Sequence, residues 1–156
     1  KLYMKNLIIV ISLLIFSISI FAQTENSNKK LVKYITNLYN EKPFEGVKII
    51  EDKNVSYLIS LSIQAVSGHK TSSTKNRVAQ IKARRNAMVF LNGSNITTET
   101  IIKTGETVTN NSVTYYENFI DEINENAAGF LDGMQVLTTF TSDDGKEYVY
   151  VIYKKL

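Results

Sequence analysis

Val55-Ser56-Tyr57-Leu58-Ile59-Ser60-Leu61-Ser62-Ile63-Gln64-Ala65-Val66 alternates apolar and polar residues and is the clearest strand in the chain. Alternation with period two places successive side chains on opposite faces of a strand. Tyr57, Ile59, Leu61, Ile63 and Ala65 fall on one face and Ser60, Ser62 and Gln64 on the other. The expectation is one core face and one wetter face, as in an antiparallel sheet backed by helices.

The period changes downstream. Thr74 is the expected N-cap of a helix that starts near Lys75 and ends at Asn92-Gly93, where glycine suits the C-terminal cap. Ala79, Ala83 and Ala87 recur every four residues with Phe90 on the same side, so this helix can approach a sheet closely. Val78, Ile81, Met88 and Val89 widen its apolar surface and predict substantial burial.

Outward from these two elements, Lys29 to Tyr39 reads as a short amphipathic helix ended by Lys42-Pro43. Val47 to Glu51 reads as a strand, Asp52-Lys53-Asn54 as a turn and Ser67 to Ser73 as a polar loop. Ile96 to Thr104, rich in Ile and Thr, is expected to be a strand and Gly105 to Ser112 a loop. Tyr115 to Ala128 fits a helix through Phe119, Ile123 and Ala127, while Thr114-Tyr115-Tyr116 equally extends a strand. Met134 to Thr141 and Glu147 to Tyr153 flank a hairpin turn at Ser142-Asp143-Asp144-Gly145-Lys146. The predicted order is α-β-β-α-β-(α)-β-β: an α+β fold, one domain over residues 23–156, with a mainly antiparallel sheet packed by the long alanine-rich helix.

The N-terminus has the arrangement of an export signal. Met4-Lys5-Asn6 is followed by an apolar run from Leu7 to Phe21, then Ala22 and the polar Gln23-Thr24-Glu25-Asn26. The run is shorter than the ~20 residues that span a bilayer. Residues 1–22 are therefore read as upstream residues and a cleaved leader, with an uncleaved anchor as the minor alternative. Lys1 and Lys5 belong to this segment, and without it the net charge of +3 falls to +1. The chain contains no cysteine, which excludes disulfides, thiolate sites and the acylated cysteine of a bacterial lipoprotein. The expected location is periplasmic or secreted.

Candidate chemistry is sparse. His69 is the single histidine and is read as a solvated loop residue, and the surrounding Gly68-His69-Lys70-Thr71-Ser72 lacks phosphate-loop spacing. Carboxylates cluster in Glu117, Asp121, Glu122 and Glu125; on a helix Glu117 and Asp121 would share a face, as would Asp121 and Glu125, an arrangement more often solvated than catalytic. Asp143-Asp144-Gly145 is a turn without the ligand spacing of a calcium loop. Tyr148, Tyr150 and Tyr153 suit sheet packing. The sequons at Asn54, Asn92, Asn95 and Asn110 are expected in a chain so rich in asparagine. No catalytic residue, metal ligand or cofactor-binding pattern emerges, and the chain is read as non-enzymatic.

Charge is unevenly placed. Lys70, Lys75, Arg77, Lys82, Arg84 and Arg85 lie in a stretch from Ser67 to Asn95 that contains no acidic residue. Lys75, Arg77, Lys82, Arg84 and Arg85 are the candidate contacts for an anionic partner, a lipid or glycan surface. Intramolecular pairing with the segment around Asp121 and a plain solvated face, with the arginines packing through their stems, are the competing readings, the solvated face being the ordinary one. Export and a near-neutral mature charge oppose nucleic acid.

Three pieces together carry a family resemblance: Val78-Ala79-Gln80-Ile81-Lys82-Ala83-Arg84-Arg85-Asn86-Ala87, Ala128-Gly129-Phe130-Leu131-Asp132-Gly133-Met134-Gln135-Val136, and Asp144-Gly145-Lys146-Glu147-Tyr148-Val149-Tyr150-Val151. Over Val55 to Lys154 the chain resembles small bacterial envelope domains related to the N-terminal domain of the flagellar T-ring assembly protein and its lipoprotein relatives. The resemblance implies a compact α+β envelope domain that makes contacts, with an envelope protein or a second copy as partner. It carries no catalytic residue over, and the anchor cysteine of the lipoprotein members is missing here. The functional expectation is an exported assembly or adhesion domain. The alternatives are a small periplasmic ligand-binding module with a cystatin-like helix-on-sheet fold and, third, a carboxylate-dependent hydrolase.

Overall fold

The computed structural model describes residues 28–52, 55–67, 71–93, 95–104 and 107–156. Residues 1–27, on which the expected leader falls, the Lys53-Asn54 part of the first turn, Gly68-His69-Lys70, Ser94 and Gly105-Glu106 lie outside the described residues. The chain divides into two units, Lys1–Glu41 and Lys42–Leu156. In the first, α1 runs over 28–41, and Leu31, Ile35 and Tyr39 recur every fourth residue as its buried stripe.

The second unit is α+β. Its elements are β1 (Gly46–Asp52), β2 (Val55–Ala65), α2 (Ser72–Leu91), β3 (Ile101–Lys103), α3 (Asn110–Asn124), α4 (Ala127–Asp132), β4 (Gln135–Thr141) and β5 (Glu147–Lys155). They build one five-stranded sheet in the order β3-β1-β2-β5-β4. Pairing is antiparallel for β1 with β2, β2 with β5 and β5 with β4, and parallel for β1 with β3. The sheet is thus mixed, with the expected antiparallel majority. The β4–β5 turn is held locally. Ser142 N–H donates to the Glu147 carbonyl at 2.8 Å, and Gly145, at φ +73°, supplies the left-handed residue. Asp144 accepts from Ser142 Oγ and from Lys146 N–H, and these bonds hold its carboxyl below the usual range.

The central strand corrects the expected sidedness. Ser60, Ser62 and Gln64 are buried, because their face of β2 lies under α2. Ser60 Oγ donates to the Ala83 carbonyl at 2.6 Å and Ser62 Oγ to the Ala79 carbonyl at 2.7 Å. A hydroxyl bonded to a helix carbonyl is small and satisfied, so it survives burial where a larger side chain would hold the helix off. Ala79, Ala83 and Ala87 are fully buried opposite them. Ile59 and Leu61, on the other face, are buried as well. The α2-side core is completed by Ile49, Leu58, Phe90, Ile96, Ile101, Tyr116, Ile120 and Ile152.

Three boundaries also differ from expectation. The N-cap of α2 is Thr71, whose Oγ1 accepts from Thr74 N–H at 3.1 Å, so Thr74 sits inside the first turn. The strand expected from Ile96 is reduced to Ile101–Lys103. Thr97 and Thr100 close a turn on each other instead, with Thr97 N–H donating to Thr100 Oγ1 at 3.1 Å. The ambiguous segment is helical: α3 begins at Asn110, buries Tyr116 and Ile120, and gives way to α4, capped by Asn126 Oδ1 accepting from Gly129 N–H at 3.2 Å. Its Gly129 and Gly133 have a packing reason. A Cβ at Gly129 would meet Asn126 Oδ1 at 2.8 Å, and one at Gly133 would meet Lys154 Nζ at 2.6 Å.

Candidate functional site

Helix α2 is the element that combines charge with exposed apolar surface. Phe90 and Leu91 join the core, but Ile81, Met88 and Val89 do not, against expectation. Ile81 is 58% exposed, Met88 51% and Val89 58%. The reason is angular: with 100° per residue, Ile81 lies about 160° from Ala83 around the helix. The alanine stripe that fits the sheet therefore turns the bulkier residues outward. Among the described residues these three stand with Val66, Tyr115 and Val136 as exposed large hydrophobic residues.

The five basic candidates separate into two groups. Lys75 Nζ lies over the Tyr148 ring, 4.6 Å from its centroid, and Arg84 Nη1 donates to the Leu131 carbonyl at 3.0 Å near the end of α4. Both are fold contacts. Arg77, Lys82 and Arg85 are exposed and make no hydrogen bond or ion pair among the described residues. Arg77, Ile81, Arg85 and Met88 follow one another at helical spacing along the outer face. Beside them, Lys82, Arg85, Asn86, Val89 and Phe90 line an open groove of about 470 Å³ against Glu45, Gly46 and Val47. Glu45 Oε1 accepts there from Ile63 N–H at 3.2 Å, which ties the groove's carboxylate to β2.

Among the described residues no carboxylate, Glu45 included, forms an ion pair with Arg77, Lys82 or Arg85. Glu117, Asp121, Glu122 and Glu125 are exposed, and among the described residues none pairs with an α2 cation. Glu117 and Asp121 line a shared cavity of about 310 Å³ with Asn95 and Asn118, whereas Glu122 and Glu125 lie outside it. Among the described residues no three His, Cys, Asp or Glu side chains gather as metal ligands. Tyr150 is buried in the sheet and Tyr148 Oη donates to Asn76 Oδ1 at 2.8 Å, both packing roles.

A polar cluster unseen in the sequence lies at the other end of β1. Glu51, Ser56 and Lys103 are register partners on three adjacent strands, and Tyr116 reaches them from α3. Tyr116 Oη donates to Glu51 Oε2 at 2.9 Å and lies 2.7 Å from Ser56 Oγ, while Lys103 pairs with Glu51 at 3.3 Å. They line a cavity of about 380 Å³ with Asn111, Ser112 and Tyr115. Burial chiefly pushes the Tyr116 phenol up to about 12; Ser56 opposes the rise and Glu51 adds to it. The folded state thus holds this proton above the ordinary value of 10.0. Its stabilising contribution is complete below about pH 10 and is lost as pH rises toward 12. Tyr116→Phe should cost about 1 kcal/mol at neutral pH. It should also flatten the alkaline loss of stability relative to wild type, measured as the urea midpoint from neutral to alkaline pH.

No described helix is long and apolar enough to cross a membrane. Comparison with known proteins finds nothing similar: no protein-family model, no curated protein and no solved structure matches the chain.

Proposed function

We propose that the chain is an exported, non-enzymatic interaction domain of a bacterial cell envelope, and that it engages an anionic partner through the outward face of α2. The observation that carries this reading is the set Arg77, Lys82 and Arg85, exposed and unpaired among the described residues on a helix without a carboxylate. A solvated helix is ordinarily laced with both signs of charge. Here the helix itself carries one sign only, and among the described residues neither the carboxylates of α3 nor Glu45 across the groove forms an ion pair with it, which leaves the three cations available to something external.

The leader pattern of residues 4–22 supports export, and the absence of cysteine supports release without a lipid anchor. A role in contact and assembly, like that of the T-ring-related envelope domains which the three quoted segments resemble, belongs to the proposal; a flagellar role does not. The ligand-binding alternative draws no support from the α2 side of the sheet, which Ala79, Ala83 and Ala87 fill. The hydrolase alternative has Glu117 and Asp121 in one cavity, but both are exposed, and among the described residues no further titratable group lines it.

Cell fractionation combined with crosslinking in intact cells tests the proposal. The expected result is recovery outside the cytoplasm, crosslinked to an envelope component, with the crosslink reduced severalfold by Arg77→Ala/Lys82→Ala/Arg85→Ala and unchanged by Arg84→Ala. Recovery of cytoplasmic monomer alone would overturn it.

A further inference from the structure

The same face carries more than charge. Ile81 and Met88 are more than half exposed between and beside the cations Arg77 and Arg85, and the four lie along one line of the helix from residue 77 to residue 88, about 16 Å. A hydrated polyanion such as an acidic glycan satisfies arginine and lysine but has nothing to offer an isoleucine and a methionine. A bilayer interface satisfies both, because apolar side chains enter the boundary between headgroups and acyl chains while long cationic ones reach back to the phosphates. No described helix can cross a membrane, so such a contact is made with the helix lying in the plane of the interface.

We propose that the outward face of α2 docks on an anionic lipid bilayer, with Ile81 and Met88 entering the interface and Arg77, Lys82 and Arg85 pairing with lipid phosphates. The proposal rests on the reading of α2 as the binding surface and adds the identity of what it binds. Charge complementarity selects the occupant. The helix contributes five basic residues and no acidic one; Arg77 and Arg85 are exposed on the outer line and Lys82 beside it at the groove, and among the described residues none of the three makes an ion pair, with Glu45 across the groove included. The α2 backbone is anchored to the sheet by Ser60 and Ser62, so the face is presented rigidly without folding on contact.

The test uses the full chain, expressed with its leader and purified as the cell processes it. Cosedimentation is measured with vesicles of phosphatidylcholine alone and of phosphatidylcholine containing about a third phosphatidylglycerol. A sulfated polysaccharide serves as the glycan probe. The chain contains no tryptophan, so Ile81→Trp gives a single indole fluorophore on the docking face. The expected results are binding to the anionic vesicles only, weakened by salt, and a blue shift in the emission of the Ile81→Trp variant on binding. Removing each of Arg77, Lys82 and Arg85 should lower vesicle binding by about fivefold. Ile81→Glu/Met88→Glu should lower it by more than about tenfold. Both positions are exposed, and an unchanged thermal melt would show that the fold survives. Binding to the polysaccharide with no dependence on Ile81 or Met88, and no blue shift on vesicles, would overturn the bilayer and leave the anionic-partner reading standing. Binding to neither probe would overturn the bilayer, and the in-cell crosslink would then decide the broader reading separately.

Discussion

Leu58→Ala is expected to destabilise the domain by about 2–5 kcal/mol, of order 10 °C in melting temperature. Leu58 is fully buried on the α2 side of β2, in the cluster that joins the sheet to α2, α3 and the Met134 segment. Its strand neighbours Ile49 and Lys154 are fixed by pairing on both sides, so the sheet backbone has little freedom to close over a missing side chain. The loss is therefore the transfer free energy of the removed carbons plus the cost of an unfilled cavity. Small domains are stable by about 5–15 kcal/mol, so the variant consumes a large part of the margin. Urea unfolding checks this: the midpoint should fall with the slope unchanged. A shift of less than about 1 kcal/mol would mean that the site collapses freely and the core is looser than its burial implies.

The second large effect comes from the opposite error of size. Ala83→Leu is expected to cost about 3 kcal/mol, and it should do so although leucine is among the better helix formers. Ala83 has no exposed surface, and its carbonyl accepts the Ser60 hydroxyl at 2.6 Å. Three added carbons must lift the helix from the strand, and lifting it breaks that bond and the one from Ser62 to Ala79. Ile81→Leu, two residues away on the exposed side, should change stability by no more than about 0.5 kcal/mol. The pair of urea midpoints separates packing from propensity. If Ala83→Leu proved neutral, the close approach of helix and sheet would not be what holds α2 in place.

Both effects come from a contact the sequence described only in part. The alternation in Val55 to Ala65 placed β2, and the four-residue alanine spacing identified the stripe of α2 that meets the sheet. What alternation cannot state is which of two faces is covered. The serines looked like the wet side, yet they are the side that lets a helix come close, because a hydroxyl is small and a helix carbonyl can accept from it. The apolar residues of α2 misled for the same reason. Transfer preference predicts that Ile81 and Met88 go inside, but they sit on the far side of the cylinder from the alanines, and the covered face was selected by size.

The two sites differ in how legible they were. The basic side chains of α2 were visible as a run without acids, because contiguous residues on one helix share a surface. Which of them are available was not: Lys75 is engaged by Tyr148 and Arg84 by the end of α4, and neither partner is near in sequence. The Glu51–Ser56–Lys103–Tyr116 cluster was invisible for a stronger form of that reason. Three of its members meet through strand register and the fourth through helix packing.

By itself, the sequence determined the α+β class, the order of the main elements, the alanine stripe, the leader pattern and the absence of cysteine chemistry. These are local or compositional properties, set by side-chain period and residue type within one segment. Only the tertiary structure decided that both faces of β2 are buried and which of them lies under α2, that residues 110–124 are helix, and which cations of α2 remain exposed. Each of those depends on how two distant segments fit, and fit is governed by size and satisfied hydrogen bonds as well as by hydrophobicity.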